Sequence, residues 1–161
     1  MALKPRPEGL DSPFVPKIMM WMSTVNVWVY RKTRGRLMGK WRIGAAFPWG
    51  IPICLFTTRG RKSGRMITKP LVFMQDGERV VVVASRGGLP EHPQWYLNVQ
   101  ADPNVTVQVR GLVRAMRART ASEAERALMW PRLVAFYADF DSYQGWTERQ
   151  IPVVICEAIA N

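Results

Sequence analysis

Two apolar runs, ITKPLVFMQ and RVVVVAS, meet across Asp76-Gly77. A spacer this short reverses the chain, so the runs must be antiparallel neighbours, and Asp-Gly suits the turn because both residues tolerate positive φ. VTVQV and LVRAMRAR repeat the pattern across Arg110-Gly111, IPICLFTT precedes the first run across a glycine-containing turn, and QIPVVICEAI comes last. These are at least six strands, joined mainly by hairpins. That connectivity predicts a mainly β fold with flanking helices, an antiparallel barrel rather than a doubly wound sheet.

Three segments carry a helical pattern instead. Between residues 13 and 35, Phe14, Ile18, Trp21, Met22, Val25, Trp28 and Val29 recur at steps of three and four, which predicts an amphipathic N-terminal helix. Pro93 opens a second, which ends before Asp102-Pro103. Thr120 or Ser122, each followed three residues later by Glu, caps a third, which Pro131 is expected to bend or break. The polar, proline-rich residues 1–12 read as a flexible arm, leaving 36–161 as one barrel domain, in keeping with a chain of 161 residues.

Charge narrows the function. The formal net charge is +11, and between Asp11 and Asp76 twelve Lys or Arg occur with no Asp or Glu. Such a field attracts anions of any kind: nucleic acid, acidic lipid or a phosphorylated small molecule. The N-terminal helix is too interrupted by Lys17, Ser23, Thr24 and Asn26 to span a bilayer. Its main role is read as packing on the barrel. The alternative is peripheral contact with an anionic membrane, because its tryptophans are followed by Arg31, Lys32, Arg34, Arg36, Lys40 and Arg42.

Cys54 and Cys156 are too few for a disulfide framework, and a reduced, cytoplasmic setting fits them. A single histidine, His92, makes a Cys/His metal site or a Ser-His-Asp triad a poor reading, so no metal is expected. No Walker loop and no GxGxxG occur. Nothing resembles a nucleic-acid-binding motif either, so a basic nucleic-acid binder ranks below a small-molecule site.

Three stretches carry candidate chemistry. TTRGRKSG, residues 57–64, lies between two strands. Gly60 and Gly64 let its backbone turn, Arg61 and Lys62 add charge, and Ser63 adds a hydroxyl, which together suit a phosphate; a solvated hairpin is the plain alternative. In ASRGGLPEHPQWYLN, residues 84–98, Gly87 and Gly88 are expected to admit a flat ring, with Trp95 packed against it and Ser85 and Asn98 bonded to its polar edge. Trp95 and Tyr96 also read as core aromatics. FYADFDSYQGW places Tyr137, Phe140 and Tyr143 among polar residues, as a core cluster or as the rim of an apolar substrate pocket.

Taken in order, TTRGRKSG with KPL, ASRGG with HP and WYLN, and MWPRLV with YQGWTER resemble the nitroreductase family of deazaflavin-dependent oxidoreductases found in actinobacteria, over roughly residues 40 to 160. The resemblance implies a split β-barrel of the FMN-binding type that holds coenzyme F420, an 8-hydroxy-5-deazaflavin with an acidic phospholactyl-polyglutamate tail. It assigns Arg61, Lys62, Ser63 and Gly64 to the phosphate, with Thr58 at the strand end beside them. Pro70, Ser85, Arg86, Gly87, Gly88, Trp95 and Asn98 are assigned to the ring. Ile67 stands where the family often has Arg, a loss that Arg65 and Lys69 are expected to offset, and Val72 stands where an aromatic is common. The implied activity is hydride transfer from reduced F420 to a quinone, an activated enone or a nitroaromatic. Ser85 and Tyr143 are the candidate donors to the oxygen that gains charge, and Tyr137 and Phe140 shape the pocket. A non-catalytic F420 carrier is the competing expectation.

Overall fold

The structure, a computed structural model, describes residue 5 and residues 15–42, 44–46 and 48–159. The expected arm at 1–12 therefore lies, apart from residue 5, outside the described residues. In chain order the elements are α1 (Val15–Thr33), β1 (Lys40–Trp41), β2 (Ile51–Arg59), β3 (Met66–Asp76), β4 (Arg79–Val83), α2 (Gln94–Ala101), β5 (Asn104–Val109), β6 (Leu112–Thr120), α3 (Glu123–Phe136), α4 (Asp139–Gly145) and β7 (Val153–Ala158).

Strands β2-β3-β4-β7-β6-β5 form an antiparallel sheet that closes because β5 also pairs with β2, Phe56 standing opposite Val107. The two-residue β1 is added outside β2. The expected barrel is the observed architecture.

Side-chain alternation sorts the strand residues into two cores. Cys54, Phe56, Phe73, Val80, Val82, Met116, Val154 and Cys156 point into the barrel. Val81, Val83, Val153 and Ile155 point outward and are covered by Met129 and Leu133 of α3 and by Tyr137 and Phe140. This double coverage explains why RVVVV has no polar partner positions: both faces of β4 are buried. On another outer face, Tyr30 and Val27 of α1 cover Ile53, Leu55 and Val72.

Local expectations met three corrections. The β3–β4 loop is Gly77-Glu78, with Gly77 at φ +61°, while Asp76 pairs with Arg79 in the ladder instead of taking positive φ. Asp76 also forms ion pairs with Arg79 and Arg132, which hold its carboxyl below the usual range. Helix α3 runs through Pro131 unbroken. Met129 and Leu133, buried on either side of the proline, hold the helix to the sheet, and Ala127, whose carbonyl loses its helical donor, is exposed to solvent. The residues DFDSYQG, read from sequence as a core cluster or a pocket rim and given no helix, form the helix α4. The N-cap of α3 is Ser122, and both hydrogen bonds of the capping box with Glu125 are present.

Candidate active site

The basic turn is a self-closed loop at the end of the β2–β3 hairpin. The Gly60 amide donates to the Arg65 carbonyl at 2.8 Å, Gly64 donates to Gly60 at 2.7 Å, and the Arg65 amide donates to Ser63 Oγ at 3.3 Å. Gly64 has φ +69° and open space where a Cβ would lie. With these amides engaged, anion binding falls to the cationic side chains and to Lys62 and Ser63 at the exposed tip. Among the described residues, Arg61, Lys62, Arg65 and Lys69 have no acidic partner, whereas Arg59 next door is paired with Asp102. The loop is thus an uncompensated cluster of positive charge.

Helix α2 holds this loop in place. Asn98, only 3% exposed, donates from Nδ2 to Thr58 Oγ1 at 3.2 Å, while its Oδ1 accepts from the Arg61 amide and guanidinium, each at 3.2 Å. Gln94 Oε1 accepts from Arg61 at 3.0 Å. Asn98 and Thr58, both buried at the helix–barrel contact, therefore brace the loop from below. Trp95 is placed away from the expected position: it lies inside the barrel, edge-on to Phe56 with centroids 5.2 Å apart. Tyr96 is a core aromatic beside it.

Residues 84–92 connect β4 to α2 and form the next part of the rim. Arg86 takes φ +48° and pairs with Glu91 at 2.5 Å, and Gly87 at φ +62° has nothing within 4 Å of a would-be Cβ. Gly88 differs. A Cβ there would stand 2.8 Å from the Tyr143 carbonyl and 3.1 Å from the Trp146 ring, so this glycine admits α4 and not a ligand. The half-buried Ser85 is positioned by its backbone: Arg149 donates to its carbonyl at 2.8 Å, and also to Ala84 and Leu89. The same guanidinium lies 3.2 Å from His92 Nδ1. Arginine only donates, so Nδ1 accepts and the His92 proton sits on Nε2. Burial, then the Arg149 charge, hold His92 below its ordinary pKa. Arg149 was not among the sequence candidates; the only sign of it was its place in the YQGWTER run.

The aromatic segment supplies the opposite wall. Tyr137 Oη and Tyr143 Oη are 3.2 Å apart, and the Trp41 indole N–H donates to Tyr137 at 3.3 Å. Burial, then the bond to Tyr143, raise the Tyr137 pKa well above its usual value, so this phenol stays protonated. Phe140 is buried behind it, with ring centroids 5.0 Å apart. Asp139, buried at the start of α4, accepts from the Ala45 amide at 2.9 Å and so ties the chain before β2 to this wall. Trp41 and Asp139 were also missed from sequence, Trp41 because it lies on a two-residue strand with no periodicity.

Between the two walls runs the outer face of β3. Val72 belongs to the cluster under α1 and also to the cluster under α4, so it forms the floor between them; Pro70, two residues away, shares its face, and both are half-buried. A cationic loop at one end, an open glycine on the rim and an apolar floor fit a cofactor with an acidic tail and a flat ring. A six-stranded closed antiparallel barrel with such a site defines the class: a split-barrel protein with a candidate cofactor site on its outer face.

The model of the F420H2-dependent quinone reductase family matches residues 21–158. The chain belongs to that family; it is an F420H2-dependent oxidoreductase, and reduced F420 is its cofactor. Among its relatives, a Mycobacterium tuberculosis protein named, by inference, as an F420H2-dependent quinone reductase is 48% identical over 71% of this chain and 96% of its own length. A second M. tuberculosis protein, named an F420H2-dependent quinone reductase, is 33% identical over 79% of this chain and 83% of its own. A solved structure of an F420H2-dependent reductase superposes with a TM-score of 0.62 at 43% identity, covering 66% of this chain and 94% of the other.

Proposed function

We propose that the protein reduces a quinone held over the β3 floor, between the Arg61–Gly64 loop and the Tyr137–Tyr143 pair. Bound in reduced form, F420 supplies a hydride from its deazaflavin ring; the protein supplies position, exclusion of water and a proton donor. Arg61, Lys62, Arg65 and Lys69 would grip the acidic tail, and Pro70, Val72 and Gly87 would bed the ring. Tyr143 and Ser85 would donate to the quinone oxygen as it gains charge. The Trp41 N–H can only donate, so the Tyr137 oxygen accepts from it, and Tyr137 in turn shares a hydrogen bond with the Tyr143 hydroxyl, which holds the two phenols together.

The observation that carries this reading is an uncompensated cationic loop at one end of β3 together with a hydroxyl-bearing aromatic wall packed against Val72 farther along the same strand. The test follows the absorbance of reduced F420 with purified protein and a panel of quinone, enone and nitroaromatic acceptors, with NADPH and reduced FMN as control donors. Quinone-dependent oxidation is expected. Tight uptake of F420 without oxidation by any acceptor would make the protein a carrier.

We also propose that α1 rests on an anionic membrane, at the cytoplasmic face, where a lipid-soluble quinone resides. Trp21 is 70% exposed and Trp28 63%, Met22 and Val25 are exposed beside them, and the following stretch is cationic without an acidic residue. Among the described residues no helix is long and apolar enough to cross a bilayer. Co-sedimentation with phosphatidylglycerol vesicles should be strong for the intact protein and weak after Trp21→Ser with Trp28→Ser; equal partitioning removes membrane docking.

A further inference from the structure

A second cationic feature lies at the other end of the barrel from the Arg61–Gly64 loop. Strand β2 runs from Ile51, at this end, to Arg59, at the loop, and the register Leu55–Gln108 puts Val109 and the Arg110-Gly111 turn beside its first half. Here residues 34–42, together with the start of β2 and the Arg110-Gly111 turn, line an open cavity of about 720 Å³. Arg34, Arg36, Lys40, Arg42 and Arg110 line it, together with the apolar Ile53, Phe73, Val109, Leu37 and Met38. None of its lining residues is acidic, and none of the five cations has an ion-pair partner among the described residues.

The backbone around the cavity is built to a specific shape. Arg34, Met38 and Arg110 all have positive φ, at +52°, +59° and +53°, a conformation disfavoured for side chains with a Cβ. Arg110 is held there by Tyr30, fully buried, whose Oη accepts from the Arg110 amide at 2.7 Å and donates to the Ile53 carbonyl at 3.1 Å, while the Arg34 amide donates to the Arg31 carbonyl at 3.3 Å. Gly35, at φ +72°, lets the chain pass where a Cβ would stand 2.9 Å from the Tyr30 ring and 3.0 Å from Arg110 Cα. Two arginines are thus fixed on facing loops, in a backbone conformation that costs free energy, around a hollow with an apolar wall.

We infer that this cavity binds the phosphodiester headgroup of an anionic phospholipid, with Arg34 and Arg110 on the phosphate and Leu37, Met38 and Val109 against the glycerol and first acyl carbons. The choice of a lipid over a free phosphate rests on the membrane reading of α1, whose exposed tryptophans lead directly into the linker that forms the cavity, and on the apolar wall, which inorganic phosphate would leave unused. The site is separate from the F420 loop, so loss of one leaves the other intact.

The probe is dihexanoyl-phosphatidylglycerol below its micelle concentration, titrated against the intact protein by calorimetry. Saturable uptake is expected, weakened about tenfold or more by Arg34→Gln with Arg110→Gln and, in a second variant, by Arg36→Gln with Lys40→Gln. F420 affinity should be unchanged in both, which shows that they are folded. Dihexanoyl-phosphatidylcholine should bind about tenfold more weakly than the anionic lipid. Wild-type affinity in both double variants overturns the assignment, as does displacement of the lipid by an equal concentration of inorganic phosphate. The two readings fail differently: vesicle binding without uptake of the monomeric lipid leaves α1 docking and removes this site, whereas uptake that survives Trp21→Ser with Trp28→Ser supports the site independently of docking.

Discussion

The Arg149 guanidinium donates to the Ser85 carbonyl at 2.8 Å, reaching across from the segment after α4 to the end of β4. One side chain thereby satisfies carbonyls at Ala84, Ser85 and Leu89 and sets the His92 tautomer. The candidate donor Ser85 is thus held through its backbone by a side chain from a distant segment of the chain.

Replacing Arg149 with Met should therefore destabilise the fold and blur the site together. Losing charge-assisted hydrogen bonds to carbonyls in a partly buried loop is expected to cost about 2–4 kcal/mol. For a chain of this size that lowers Tm by roughly 5–15 °C, measured by calorimetry. An unchanged Tm would mean that water replaces the guanidinium.

Neutralising Arg61 and Lys62 to Gln should weaken F420 binding by about 10- to 100-fold and flatten its dependence on ionic strength, since each lost contact is one fewer screened by salt. Fluorescence titration of F420 at several salt concentrations measures both. Asn98→Ala should also weaken binding, because Arg61 then loses its brace.

Tyr143→Phe should lower quinone turnover by about 10- to 100-fold at unchanged F420 affinity, the scale of a lost proton donor. Trp41→Phe should have a smaller effect in the same direction, through Tyr137. Full activity in Tyr143→Phe would assign the proton to solvent.

His92 makes stability depend on pH with a defined sign. Its folded pKa is depressed, so below about 6.5 the unfolded chain binds a proton that the native state resists. Its contribution is complete above that value and declines as pH falls toward the folded pKa. Urea midpoints between pH 7.5 and 5 should fall on this account, and His92→Asn, which keeps an acceptor for Arg149 but does not titrate, should flatten that decline.

Much of the fold was legible because strand content and hairpin order are local properties. DG, RG and the Ser122–Glu125 box act over a few residues, and hairpin links between six apolar runs favour an antiparallel barrel over a doubly wound sheet. The charge of the Arg61–Gly64 loop was equally legible, since no acid occurs nearby in the chain. Which side chains reach a ligand was not. Asn98 and Trp95 carry the right chemistry for a ring site, yet α2 packs on the barrel mouth with both turned inward, and periodicity over eight residues does not say which face that will be. Gly88 reads like Gly87, but only the approach of α4 makes one a packing contact and leaves the other open. Arg149, Trp41 and Asp139 act on partners 65, 96 and 94 residues away, respectively. Contacts over such separations are set by how the barrel closes and where the helices land on it. The sequence by itself determined the strands, the turns and where positive charge accumulates; tertiary packing decided which polar groups face solvent and which are used up holding the site together.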